Sequence, residues 1–125
     1  MFEDLLNCEF AYGAKGPGKY DCFTLAKEVL RRAGIGIKDW PSIVDVAIRH
    51  DAIQFGKSDY TRLDQPEAFS IVTFKLVPGR VTHMGVVLPE CKTFIHIMQK
   101  RRVAIERLDY WRHKIDGFYR FNPGQ

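Results

Sequence analysis

Paired cysteines, metal-type spacings and long apolar runs are missing from this chain, and each absence removes a class of protein. The three cysteines, Cys8, Cys22 and Cys91, cannot all pair within the chain, and none stands in a CxxC. A disulfide framework, a zinc site of that spacing and a dithiol redox motif are set aside, and reduced thiols are expected. No apolar run approaches the roughly 20 residues a membrane helix needs. The opening MFEDLLNCEFAYG carries acid early and lacks a basic stretch followed by a long apolar one. No secretory leader is therefore expected, which leaves cytoplasmic, virion-associated and otherwise exported settings open. Repeats, low-complexity tracts and linkers are absent as well, so the expectation is one domain over residues 1–125, with no cofactor, no metal and no membrane span.

What is present is ordinary globular material: 125 residues, 46% apolar and 27% charged, enough for a core without staples. The net charge of +4 arises largely from Lys100, Arg101, Arg102, Arg107, Arg112, Lys114 and Arg120. Such a cluster attracts an anionic polymer by charge alone, but it reads first as a solvated face, and no nucleic-acid partner is expected.

Residues 2 to 9 suggest a short helix, and Gly13-Ala14-Lys15-Gly16-Pro17-Gly18 must be loop. Asp21 is an N-cap candidate, Cys22, Leu25, Ala26, Val29, Leu30 and Ala33 recur at helical spacing, and Gly34 is a natural stop. A second helix is expected from near Ser42, carrying Ile43, Val46, Ala47 and His50; periodicity then fades from Asp51 to Ala68. Ile71 to Phe74, Val81 to Leu88, Thr93 to Met98, Val103 to Arg107 and Gly117 to Phe121 read as strands, with a helical turn at Asp109 to Arg112. Helices first, strands later and no βαβ alternation predict an α+β fold, N-terminal helices packed on an antiparallel sheet of about five strands.

Cys22 falls on the first turn of its helix, and two histidines fall in strands, His83 in VTHMGVVL and His96 in TFIHIMQ. If Pro89 to Lys92 is a four-residue hairpin loop, Leu88 pairs with Thr93, and His96 lies diagonal to His83 on one face. Diagonal neighbours stand roughly 7 to 8 Å apart at Cα, within reach of two imidazoles. A one-residue slip would put the rings on opposite faces.

A thiol with an ordinary pKa of about 8.5 is activated when a helix N-terminus and an imidazolium lower it to roughly 3.5 to 7.5. Cys22 would then be a nucleophile, His83 its proton partner and His96 the group that orients His83, with helix-start N–H groups stabilising an oxyanion. Taken singly, each residue has a plainer reading. Cys22 sits in its helix's apolar stripe and fits an inert core thiol, and a lone histidine fits a satisfied buried one. A metal held by all three is also conceivable, although no short ligand pair supports it.

These residues, in this order, resemble the NlpC/P60 cysteine peptidases. The matching strings are Tyr12-Gly13, Tyr20-Asp21-Cys22, His83-Met84-Gly85-Val86-Val87 and Phe94-Ile95-His96, spread over residues 10 to 120. Trp111 and the closing Gly117-Phe118-Tyr119-Arg120 look like short phage or prophage members. The resemblance implies a papain-like fold, a catalytic Cys22, His83 and His96, and Asp21, Tyr12 and Phe23 on the substrate side. It implies hydrolysis of a cell-wall stem peptide at a D-glutamyl to diamino-acid bond, with peptidoglycan as substrate and phage tail proteins as possible partners. Two other functions fit the same residues: a tail-assembly or interaction protein with weak or lost activity, and a transacylase or deamidase. The chain departs from the family pattern at Phe23 and Thr24, where Ser and Gly usually follow the cysteine, and at Phe69-Ser70, where Gly-Asp usually precedes the first core strand. The tyrosine that often serves the oxyanion site aligns nearer Phe10 than Tyr12. Asn7-Cys8-Glu9-Phe10 looks like the cysteine string of the related acyltransferases, but no histidine precedes it, and Cys8 is read as structural.

Overall fold

A computed structural model of the chain describes residues 2–37, 53 and 60–122. The expected second helix near Ser42 lies outside the described residues.

The clearest local structure is helix α1, Cys22–Arg32. Its start is fixed by a reciprocal cap: Thr24 N donates to Asp21 Oδ1 at 2.8 Å and Asp21 N donates to Thr24 Oγ1 at 2.9 Å. Leu25, Ala26, Val29 and Leu30 form its buried face. Leu25, Val29 and Leu30 are each 1% exposed or less, and full burial of such a side chain contributes about 1.5–3 kcal/mol. The helix ends as its glycine predicted, with Gly34 at φ +86° and Ile35 N donating back to Leu30 O at 2.8 Å.

Two two-residue strands precede it, β1 (Glu9–Phe10) and β2 (Lys19–Tyr20), paired in parallel. The helix expected over residues 2 to 9 is only a 3-10 turn at Glu3–Leu5. Phe2 and Leu5 do bury at helical spacing, but Cys8 O accepts from Val103 N and Glu9 N donates to Gly18 O, which draws the chain into extended pairing.

Among the described residues the main sheet has six strands: β3 (Tyr60–Leu63), β4 (Ile71–Phe74), β5 (His83–Val87), β6 (Thr93–His96), β7 (Ala104–Arg107) and β8 (Ile115–Phe121). Their order is β3-β8-β4-β5-β6-β7, antiparallel throughout. The expected meander runs from β4 to β7; β8, after the short helix α2 (Leu108–Trp111), returns to lie beside β4. Among the described residues the additional strand β3 pairs only with β8, at the edge.

Strand alternation divides the sheet's side chains between two clusters. Ile71, Met84, Val86, Ile95 and Ile97 pack with the apolar face of α1. Val72, Phe74, Val87 and Phe94 form a second cluster with Leu108, and Trp111 and Ile115 lie against it.

Candidate active site

His83 is the first residue of β5 and His96 the last of β6. The register Val86↔Ile95 and Val87↔Phe94, with Leu88 N donating to Thr93 O at 2.9 Å, is the one the four-residue hairpin loop predicts. It sets Gly85 against His96: a Cβ on Gly85 would lie 3.1 Å from His96 Cβ and 3.0 Å from Ile95 O. The missing side chain lets the two rings meet along the diagonal.

They meet nitrogen to nitrogen, with His83 Nε2 at 2.7 Å from His96 Nδ1. That is a hydrogen-bond separation, shorter than the roughly 3.3 Å between two nitrogens that each stand about 2.0–2.1 Å from a tetrahedral zinc. Among the described residues no group of three or more His, Cys, Asp or Glu is placed to hold a metal ion.

Both rings are buried, His83 at 3% and His96 at 2% exposure. The His96 ring is enclosed by Phe94 at 4.6 Å, Trp111 at 5.5 Å and Phe74 at 6.3 Å between centroids, and Phe74 also lies 5.3 Å from His83. Burial pushes the His96 pKa down; Glu106 opposes this through its hydrogen bond and charge, and Arg101 adds a push in the same downward direction as burial. Burial thus favours the neutral form of the ring.

Glu106 was not anticipated from the sequence. Its Oε2 lies 2.5 Å from His96 Nε2. The β6–β7 pairing Phe94↔Glu106 makes it the diagonal neighbour of His96, as His83 is on the opposite side. The sequence signal was available, because β7 alternates and the same diagonal rule that joins the histidines reaches one strand further. A cleft of about 170 Å³ opens beside this contact, lined by His96, Met98, Arg101, Arg102, Ala104 and Glu106. A larger cavity, about 910 Å³ around Cys91, Leu108, Arg112 and Phe118, contains none of the predicted site residues.

Cys22 begins α1, half-buried against the cluster beneath that helix, and α1 packs on β5. The loop before it is held down by Asp21, whose Oδ2 accepts from Gly13 N at 3.1 Å while Oδ1 serves Thr24. Gly13 stands at φ +75°, a conformation that favours glycine. Tyr12 is half-buried, edge-on to Phe10 at 4.8 Å. Phe23 is 8% exposed and belongs to the core cluster.

The other departures also have visible consequences. Thr24, where the family pattern has Gly, completes the cap and donates to Ala14 O at 2.6 Å, tying helix to loop. Phe69 takes φ +62°, the backbone region a glycine would enter without strain, and its N donates to Val87 O at 2.7 Å. Ser70 closes the same turn, donating to Glu67 O at 2.6 Å and accepting from Glu67 N at 3.2 Å.

The NlpC/P60 family model matches residues 7–120, a span holding the cysteine helix and both histidine strands. The chain belongs to the NlpC/P60 family. Membership supports a papain-like, cell-wall hydrolase kind of function, members being typically cysteine peptidases or amidases. Among solved structures the chain is similar to NlpC2 from Trichomonas vaginalis, at 18% identity and TM-score 0.71 over 94% of this chain and 43% of that one. NlpC1 from the same organism matches at 20% identity and TM-score 0.68, over 93% and 40%. A Staphylococcus aureus protein described as similar to lipoprotein, NLP/P60 family, matches at 19% identity and TM-score 0.63, over 94% and 37%. These likenesses show a shared fold, α+β with an antiparallel sheet, and the chain spans less than half the length of each. No curated protein matches it significantly.

Proposed function

We propose that this NlpC/P60 chain is a cysteine hydrolase that cleaves an amide bond in bacterial cell-wall stem peptide, with Cys22 as nucleophile, His83 as acid and base, and His96 as orienting residue. The observation that carries the reading is the 2.7 Å contact between His83 Nε2 and His96 Nδ1. With Nε2 committed to His96, Nδ1 is the nitrogen through which His83 exchanges protons with the thiol.

In the proposed reaction the Cys22 proton passes to His83 Nδ1, and Sγ adds to the scissile carbonyl carbon. The positive end of α1 stabilises the oxyanion. Collapse breaks the C–N bond, His83 protonates the leaving amine, and a thioester remains on Cys22. Water then gives its proton to His83, adds to the thioester and releases the new carboxylic acid, restoring the thiol. Asp21 and Tyr12 complete the substrate side as the residues that shape the loop before the nucleophile, and Phe23 does so by anchoring the helix start in the core. Residues 1–125 form the catalytic domain in this reading, and the bond is the D-glutamyl to diamino-acid amide. A virion or prophage setting with tail proteins as partners belongs to the same proposal and rests on the sequence resemblance.

A second reading is an interaction protein with weak or lost hydrolase activity, and it draws on Phe23: a buried phenyl ring stands where the family pattern supplies a hydroxyl. A third keeps the acyl-enzyme and passes the acyl group on, or releases ammonia from a side chain. Mass spectrometry of muropeptides incubated with wild type and Cys22→Ala separates them. New stem-peptide fragments with wild type alone support hydrolysis, and an identical digest from both overturns it.

A further inference from the structure

We infer that Glu106 is a positioning residue that fixes the tautomers of both histidines, an inference that rests on the reading of Cys22 and His83 as a catalytic pair. A neutral imidazole carries one proton, and two imidazoles joined nitrogen to nitrogen can run that bond in either direction. If His96 carries its proton on Nδ1, it donates to His83 Nε2, and the His83 proton is forced onto Nδ1, where the ring cannot accept one from a thiol. If His96 carries its proton on Nε2, the direction reverses: Nδ1 accepts from His83 Nε2, and His83 Nδ1 holds the lone pair.

Glu106 makes the choice. A carboxylate only accepts, and its Oε2 stands 2.5 Å from His96 Nε2, so the His96 proton belongs on Nε2. Phe94, Trp111 and Phe74 hold the His96 ring, which is 2% exposed and has no room to turn towards another acceptor. The Glu106 side chain is 39% exposed, so its charge keeps contact with water while one oxygen reaches inward. The relay thus crosses three strands diagonally, from β7 through β6 to β5. Glu106 acts through His96, the ring it touches.

The experiment compares wild type, Glu106→Leu and Glu106→Gln by two readouts. The first is the ¹⁵N chemical shifts of the His96 ring nitrogens. Wild type is expected to show a protonated Nε2 and an unprotonated Nδ1, and Glu106→Leu to lose that preference. Glu106→Gln keeps it, because the amide oxygen can still accept from Nε2–H. The second is turnover of a muropeptide: kcat falls by about 10- to 100-fold in the Leu variant with KM unchanged, and recovers to within a few-fold of wild type in the Gln variant. A wild-type His96 protonated on Nδ1, or a Leu variant with wild-type shifts and turnover, overturns the inference. Wild type that shows the Nε2–H tautomer but cleaves no muropeptide contradicts the hydrolase reading and supports the role of Glu106.

Discussion

His83 and His96 meet at 2.7 Å along the diagonal beside Gly85, which lies directly across from His96 and brings no side chain to this tight crossing. A Cβ there would press on the Ile95 carbonyl and on His96 Cβ, and the carbonyl belongs to a paired backbone that cannot easily give way. Gly85→Ala is expected to destabilise the fold by about 1–3 kcal/mol and to cut hydrolysis more than stability alone explains, because His96 moves off the His83 nitrogen. Thermal melting and turnover of the same sample check both parts; an Ala variant with an unchanged melt and rate contradicts the steric reading.

Acid should loosen the fold through His96. Its pKa is lowered by burial from the ordinary 6.5, so the unfolded chain holds that proton more tightly than the folded one. The stability tied to its neutral form is present above the unfolded value and is lost as pH falls below it towards the folded one. The groups facing the ring are His83, Glu106 and Arg101. Between about pH 7.5 and about pH 5, wild type is expected to lose more melting temperature than His96→Asn, which has no such proton to bind. Equal losses would show that His96 is not the group responsible.

Thr24 performs the work of a cap at a position where the family pattern has glycine. Its hydroxyl accepts from Asp21 N and donates to Ala14 O, so Thr24→Gly removes the hydroxyl half of the cap and the link to the loop, while the residue 24 N–H can still donate to Asp21 Oδ1. A loss of about 1–2 kcal/mol is expected from urea unfolding, with Thr24→Ser nearly neutral. Indistinguishable Gly and Thr midpoints would rule this out.

Phe69 gives an inverted ordering. At φ +62° a residue with a Cβ is strained by about 1–2 kcal/mol, while its ring is held edge-on by Phe2 at 6.4 Å. Phe69→Ala loses the ring and keeps the strain; Phe69→Gly loses both. The Gly variant is therefore expected to unfold at higher urea than the Ala variant, the reverse of the order at a position with ordinary backbone. An Ala variant more stable than the Gly variant would contradict the left-handed assignment.

The parts of the fold that could be read from sequence are those where one physical rule dominates. Asp21 and Gly34 bracket α1 because capping and left-handed backbone are chemistry of single residues. The β5–β6 register followed from strict alternation and a four-residue loop, and it brought His83 to His96. Residues 2 to 9 misled because Phe2 and Leu5 are spaced as on a helix, while pairing partners distant in sequence, Gly18 and Val103, decide the backbone of Cys8 and Glu9. Strand β3 gave no signal, since its burial does not alternate and its pairing, among the described residues, is with the distant β8. Glu106 was overlooked for a different reason: a half-exposed glutamate in a β-strand is ordinary, and only its diagonal position beside a buried histidine distinguishes it.

The proposed mechanism makes Cys22 the activated thiol. Exposure does not separate it from Cys91, since both are half-buried and neither is in a disulfide. The direct measurement is the rate of iodoacetamide modification at each cysteine near neutral pH, read by peptide mass spectrometry in wild type and in His83→Ala. Cys22 is expected to react faster than Cys91 and Cys8 in wild type and to lose that advantage in the variant. Equal, slow modification of all three thiols in wild type, or an undiminished Cys22 rate in His83→Ala, would contradict it.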